Sequence, residues 1–228
     1  MTVVPFTYNG SLRAGQTLTI RDVNGDVRVR TGDRFAIHAT KRAERGDPNA
    51  VAIRVEQRPD GTLVCVRYSP DTNRDCNPGS ENAHGNDTEV AFDVTVPAGV
   101  RLDASSVNGN VDVDNAGPAD ASTVNGNVRV TGRDVQRATT VNGSVTVDVL
   151  DRTRGALVAS SVNGSIDVTL PHGTGLTVDA STVTGDISAP GMSVQRPRYG
   201  PGASLNGTIG DGARRLSLHT TNGTITLH

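Results

Sequence analysis

The sequence predicts an all-β protein: a single-stranded parallel β-helix, or β-solenoid, with an elaborated N-terminal β region acting as its cap. Three observations predict it. An Asn-Gly unit recurs along the chain, period-2 alternation flanks each copy, and equivalent positions in the copies carry the same kinds of residue. The copies are RDVNGDVRV around Asn24, SSVNGNVDV around Asn108, STVNGNVRV around Asn125, TTVNGSVTV around Asn142, SSVNGSIDV around Asn163 and STVTGDISA around Thr184. SLNGTIG around Asn206 and TTNGTITL around Asn222 close the series, with successive spacings of 84, 17, 17, 21, 21, 22 and 16 residues.

Aligned on the Asn (or Thr184), the copies resolve into columns. Three residues after it stands Val or Ile in every copy: Val27, Val111, Val128, Val145, Ile166, Ile187, Ile209 and Ile225. Four before it Ala recurs, as Ala104, Ala121, Ala138, Ala159 and Ala180. Two before it is Ser or Thr, with Asp22 the exception; one before it is apolar, with Thr221 the exception. Asn-Gly between alternating apolar residues also signals antiparallel hairpins. Column identity favours the stack, because a rung this thin buries its Ala and Val only against a neighbour of the same shape. The Val before Asn is out of phase with the inward columns, so it calls for a bulge, a corner or a second covered face.

Residues 1–97 hold the first copy, strands such as Gln16–Ile20 and Phe35–Ala39, and a hairpin turning at Arg58-Pro59-Asp60-Gly61. Five of the six aromatic residues precede residue 93, so the bulkier core belongs here, where a cap protects the open edge of the stack. Residues 98–228 carry the repeats, and the two parts read as one continuous domain. Between them Ser69–Thr88 is a polar insertion. Asp71-x-Asn73-x-Asp75 imitates the start of a calcium loop, but Cys76 stands where Gly is required and Asn82 where the bidentate Glu belongs, so no metal is expected.

The run VAFDVTVPAGVRLDASSVNGNVDV (Val90–Val113), with its V-P-x-G-x-x-L lead into S-x-N-G-x-V units, resembles the bacterial putative-adhesin family. The resemblance extends over essentially the whole chain, most clearly Val90 to His228. It implies a repetitive β-solenoid of the cell envelope, and the family offers no catalytic residues to carry over.

Composition excludes several functions. Basic and acidic residues balance, 22 against 24, which leaves no face for nucleic acid. With three Phe, three Tyr and no Trp there are too few rings for base stacking. No apolar run is long enough to span a membrane. The five His make no zinc spacing, and nucleophile-elbow, Walker and dinucleotide motifs are absent. Asp112 and Asp114 could face along one strand as a glycosidase pair, but the column of Asp112 continues as Arg129, Thr146 and Asp167, a mixed solvated face that also argues against ice binding. No cofactor is expected.

Two features remain as candidates. Pro190–Ala203 places Arg196, Arg198 and Tyr199 in a Pro/Gly-rich bulge, a composition favoured where ligands bind. Cys65 and Cys76 would pair in an exported protein, closing a loop worth about 2–3 kcal/mol; the alternative is two unrelated thiols. MTVVPFTYNG lacks a basic and then apolar leader, so export requires a signal that this sequence does not contain, and a cytosolic protein is the alternative. The expected function is a non-enzymatic envelope or surface protein serving adhesion, scaffolding or protein interaction, with cell-wall glycan or another envelope protein as partner. The alternatives are a polysaccharide lyase or hydrolase, which needs Asp and Arg to converge across adjacent rungs, and a cytosolic solenoid that polymerises end to end.

Overall fold

Alternation on either side of each Asn-Gly becomes two strands meeting at a corner. In the computed structural model, which describes residues 1–68, 76, 85–152, 155–198 and 200–228, the strands join into one mixed sheet of eighteen. The N-terminal region supplies β1 (Thr2–Gly10), β2 (Thr17–Arg21), β3 (Val27–Thr31), β4 (Phe35–Ala43), β5 (Ala52–Arg58), β6 (Gly61–Arg67) and β7 (Glu89–Val96). The central repeats supply β8 (Arg101–Ser105), β9 (Val111–Ser122), β10 (Val128–Thr139), β11 (Val145–Val149), β12 (Gly155–Asn163) and β13 (Ile166–Thr169). The last are β14 (Leu176–Thr184), β15 (Ile187–Ser188), β16 (Ala203–Ile209), β17 (Arg214–Asn222) and β18 (Ile225–Leu227). Among the described residues no helix is long and apolar enough to cross a membrane.

Each rung is an incoming strand, an Asn-Gly corner and an outgoing strand, and equivalent positions pair in parallel. Val27 lies opposite Val111, Val111 opposite Val128, Val128 opposite Val145, and Val145 opposite Ile166. Ile166 then lies opposite Ile225, and Ile225 opposite Ile187. These side chains are buried, and across from them the Ala column fills the narrow interior, from Ala104 to Ala180, at no more than 1% exposure. Small residues recur there because the two faces of a rung close on each other.

The order of rungs in space departs from their order in sequence. Corners stack as Asn24, Asn108, Asn125, Asn142, Asn163, Asn222, Thr184, so the final copy inserts between two earlier ones. The Asn206 copy forms no rung. Its strand β16 runs antiparallel to β14, with Leu205 opposite Ala180 and Ile209 opposite Leu176. Leu205 is 1% exposed in the column where Val107, Val124, Val141, Val162 and Val183 are exposed, so this copy has the reverse inside-outside phase.

Antiparallel pairs finish both ends: β1 with β4, β4 with β7 and β5 with β6 at one, β14 with β16 at the other. The stack is therefore parallel through its rungs but mixed overall, not a uniform parallel β-helix: at each end the chain returns antiparallel over the last rung, by a tight hairpin between β5 and β6 and by longer connections elsewhere. At the first end Tyr8 packs edge-on against Phe35, ring centroids 5.9 Å apart, and accepts a 2.8 Å hydrogen bond from Gln57 Nε2. That bond ties the caps of the two faces together. Beyond Asn24, strands β6 and β7 make one further rung, parallel to β2 and β3, whose corner is replaced by the polar insertion. Tyr68 Oη donates to the Thr88 carbonyl at 2.6 Å and clasps the two ends of that insertion.

Candidate binding surface

The corners have a complete hydrogen-bond accounting. At the corner of Asn125, the Asn N–H donates to the Val107 carbonyl (2.8 Å) and the Gly126 N–H to the Asn142 carbonyl (2.9 Å) on the other side. At the corners of Asn108, Asn125 and Asn142 two backbone groups are met by side chains instead. The Gly109 carbonyl accepts from Thr123 Oγ1 (2.8 Å), and the Asn127 N–H donates to Asn110 Oδ1 (2.9 Å). Thus the Ser/Thr column exists to satisfy a buried glycine carbonyl on the neighbouring rung. Ser106, Thr140, Ser161, Thr220 and Thr182 do the same at 2.8–3.0 Å. Glycine is required by proximity: a Cβ on Gly126 would lie 2.2 Å from the Gly109 carbonyl oxygen.

The Asn side chains form a ladder along this edge. Asn108, Asn125, Asn142, Asn163 and Asn222 each donate Nδ2 to the Oδ1 of the preceding Asn at 2.7–2.9 Å, and Thr184 Oγ1 closes the series at 2.6 Å. The out-of-phase Val sits where the backbone swings into the corner, and it points to solvent. Val107, Val124, Val141 and Val162 are each about two-fifths exposed and form a row. Beside them Ser105, Ser122, Thr139 and Ser160 form a second outward row at the edge of the incoming strands. On the rungs that follow, Ser181 Oγ meets His219 Nδ1 at 2.9 Å.

Across the corner the outgoing face carries charge. An open groove of about 480 Å³ is lined by Asp26, Arg28, Asn110, Asp112, Asn127, Arg129, Ser144 and Thr146. Arg28 pairs with Asp26 at 3.2 Å, and Arg129 approaches Asp148 at 3.8 Å. Asp26 also accepts from the Asn110 backbone at 2.9 Å, which fixes its carboxylate in the wall.

The expected site residues fall elsewhere. Arg196 donates to Asp186 at 2.6 Å across the last corner, and the Ile187 N–H, with Arg196 second, holds the Asp186 carboxyl below the usual range. Around them Met192 and Val194 pack against the core and Gln195 exchanges backbone hydrogen bonds with Ser204. The Pro190–Ala203 segment is thereby folded onto the end of the stack beside β16. Arg198 belongs to the same segment, and Tyr199 lies outside the described residues, as do Asp71, Asn73 and Asp75. Cys65 and Cys76 are bonded, their Cα atoms 6.0 Å apart. Among the described residues no group of three or more His, Cys, Asp or Glu is placed to hold a metal ion.

Sequence reasoning missed two features. The Val row was visible as a phase error but has no meaning until the corner is built. Asp22, the exception in the Ser/Thr column, is 4% exposed with neither carboxyl oxygen hydrogen-bonded, and burial pushes its pKa well above the ordinary carboxylate value.

The Toastrack DUF4097 family profile matches residues 16–228. Among solved structures, a "putative cell adhesion protein" from Clostridium sporogenes ATCC 15579 is 10% identical, with 99% of each chain covered and a TM-score of 0.50. A "putative adhesin" from Bacteroides fragilis NCTC 9343 is 11% identical over 100% of this chain and 97% of that one, with a TM-score of 0.30. The Clostridium likeness shows the fold alone. No curated protein matches the chain.

Proposed function

The chain belongs to the Toastrack DUF4097 family, and from that premise we propose that it is a non-enzymatic, adhesin-like module of the cell envelope. The observation that carries this reading is the corner. A rigid backbone holds identical side chains in outward rows at the rung spacing of about 4.8 Å, which suits recognition of an extended partner along the stack. The Cys65–Cys76 bond suits an oxidising, extracytoplasmic setting, and the Clostridium neighbour bears the name "putative cell adhesion protein".

The test is co-sedimentation of the purified chain with isolated cell walls, with the supernatant assayed for released sugar. Retention without release is expected; release of sugar overturns the reading. One observation favours the second reading, an enzyme on polysaccharide: Asp26, Arg28, Asp112 and Arg129 converge from three adjacent rungs on the groove. If sugar is released and Asp112→Asn stops it, that reading replaces the first.

A further inference from the structure

On the incoming side of the corner three outward rows run together across the rungs of Asn108, Asn125, Asn142 and Asn163. They are the Asn ladder, the exposed Val row, and the row of Ser105, Ser122, Thr139 and Ser160. None of these side chains is charged; the next outward row along the incoming strands carries both signs, as Asp103, Asp120 and Arg137, and the face across the corner carries Arg28, Asp112 and Arg129. Each ladder amide spends one N–H and one oxygen lone pair on its neighbours. That leaves a second N–H and a second lone pair at the surface, since an Asn amide has two of each. The strip therefore offers, at every rung, one amide donor, one acceptor, a hydroxyl and a pair of methyl groups. An exposed apolar row flanked by polar groups is the mark of an interaction surface.

These properties define a ligand. It is uncharged, because the strip itself has no ion and the row beside it mixes signs, Asp103 and Asp120 with Arg137, so that it favours neither an anionic nor a cationic polymer. It is extended and periodic, because the strip repeats along one axis. It carries hydroxyls that both donate and accept, with C–H faces between them. We propose that the strip binds a neutral linear polysaccharide laid along the stack, its hydroxyls on the Asn and Ser/Thr rows and its C–H faces over Val107, Val124, Val141 and Val162. The proposal rests on the adhesive reading above and names its ligand class. An anionic polymer would instead belong to the groove, where Arg28 and Arg129 are found.

The experiment is co-sedimentation of the whole chain with amorphous cellulose, with chitin and with cross-linked polygalacturonate, repeated for two double variants. V124K/V141K places charge in the strip; R28A/R129A strips cations from the groove. Expected is retention on at least one neutral polymer, loss of about tenfold or more in affinity for V124K/V141K, and no change for R28A/R129A. Circular dichroism and melting confirm that each variant is folded, and V124S/V141S, which keeps the surface neutral, weakens retention less if the Lys pair unfolds. Neutral-polymer binding that survives V124K/V141K overturns the strip and leaves the adhesive reading standing. Retention on polygalacturonate alone, lost in R28A/R129A, moves the ligand to the groove and also overturns it. Retention on none of these polymers, with retention on cell walls, overturns the ligand class alone; retention on neither overturns both readings.

Discussion

The corners of Asn125 and Asn24 follow one plan and differ at the position two residues before the Asn. At the first, Thr123 is buried and its hydroxyl meets the Gly109 carbonyl of the adjacent rung. At the second, Asp22 is equally buried and neither carboxyl oxygen reaches good hydrogen-bond geometry; burial dominates, and the Val23 N–H and Ser106 nearby offset it only in part. The difference lies in the neighbour. Rungs on either side of Asn125 end in Asn-Gly, so each offers a glycine carbonyl that its own backbone leaves unpaired. The rung beyond Asn24 is the pair β6 and β7, which carries no Asn-Gly, and there Val90 lies against Gly25. The column is thus a response to a partner, and where the partner changes the residue type is released.

The largest effect comes from breaking the regular corner. Gly126→Val drives a side chain into the Gly109 carbonyl and is expected to cost about 4 kcal/mol or to prevent folding. Gly15→Ala is the control. Its φ is also positive, +86° against +154° at Gly126, but nothing lies within 4 Å of a Cβ, so about 1 kcal/mol is expected. Chemical denaturation of both variants measures the gap; equal costs would mean that backbone strain, and not rung contact, fixes glycine in this column.

Next is the hydroxyl. Thr140→Val keeps the shape and leaves the Gly126 carbonyl without its 2.9 Å donor, at an expected cost of about 1–3 kcal/mol. Thr140→Ser restores the donor and should recover most of it. A Thr140→Val variant as stable as the parent would show that water or a shifted backbone meets the carbonyl instead.

The exceptional corner should respond in the opposite direction. Asp22→Asn removes a buried carboxyl without changing its size and is expected to raise stability at neutral pH by about 1–3 kcal/mol. The sign follows from proton binding. With its pKa raised in the folded state, Asp22 keeps a proton there after the unfolded chain, near pH 3.9, has lost it. Its contribution therefore falls as pH rises from about 4 toward the raised folded value, and it is neutral below pH 4. Unfolding of parent and Asp22→Asn from pH 3 to 7 should converge at the acid end and separate with rising pH. Parallel curves would mean that the carboxyl is not buried in solution.

Much of this was legible in the sequence, for a reason the corners make plain. In a stack a residue's neighbour is its own equivalent, so the requirement at one rung is repeated at the next and appears as a column. Val111, Val128 and Val145 read as inward and are inward. What escaped the sequence was what the columns do not encode. Neither the insertion of the Asn222 rung between Asn163 and Thr184 nor the reversed phase of Leu205 is set by spacing. The candidate segment around Arg196 looked like a free loop because nothing in PGMSVQRPRYGPGA announces that Met192 and Val194 reach back to the core. The Val row was legible only as an inconsistency, and the surface proposed to bind is made of it.

The smallest effect on stability is expected at that row. Val124 is 39% exposed and contacts solvent along one side, so Val124→Ser removes little buried surface and should change unfolding free energy by about 0.5 kcal/mol or less. In the Ser/Thr column one residue away, a change of similar size costs several times more, because there a carbonyl depends on it. If Val124→Ser proved as costly as Thr140→Val, the row would be holding the corner together and its exposure would be incidental. A near-neutral result has the further meaning that five valines, including Val183 at 63% exposure, are kept on an outer edge for something other than folding. Hydroxyl-bearing Thr221 takes this position on the Asn222 rung, so the stack itself does not demand valine there.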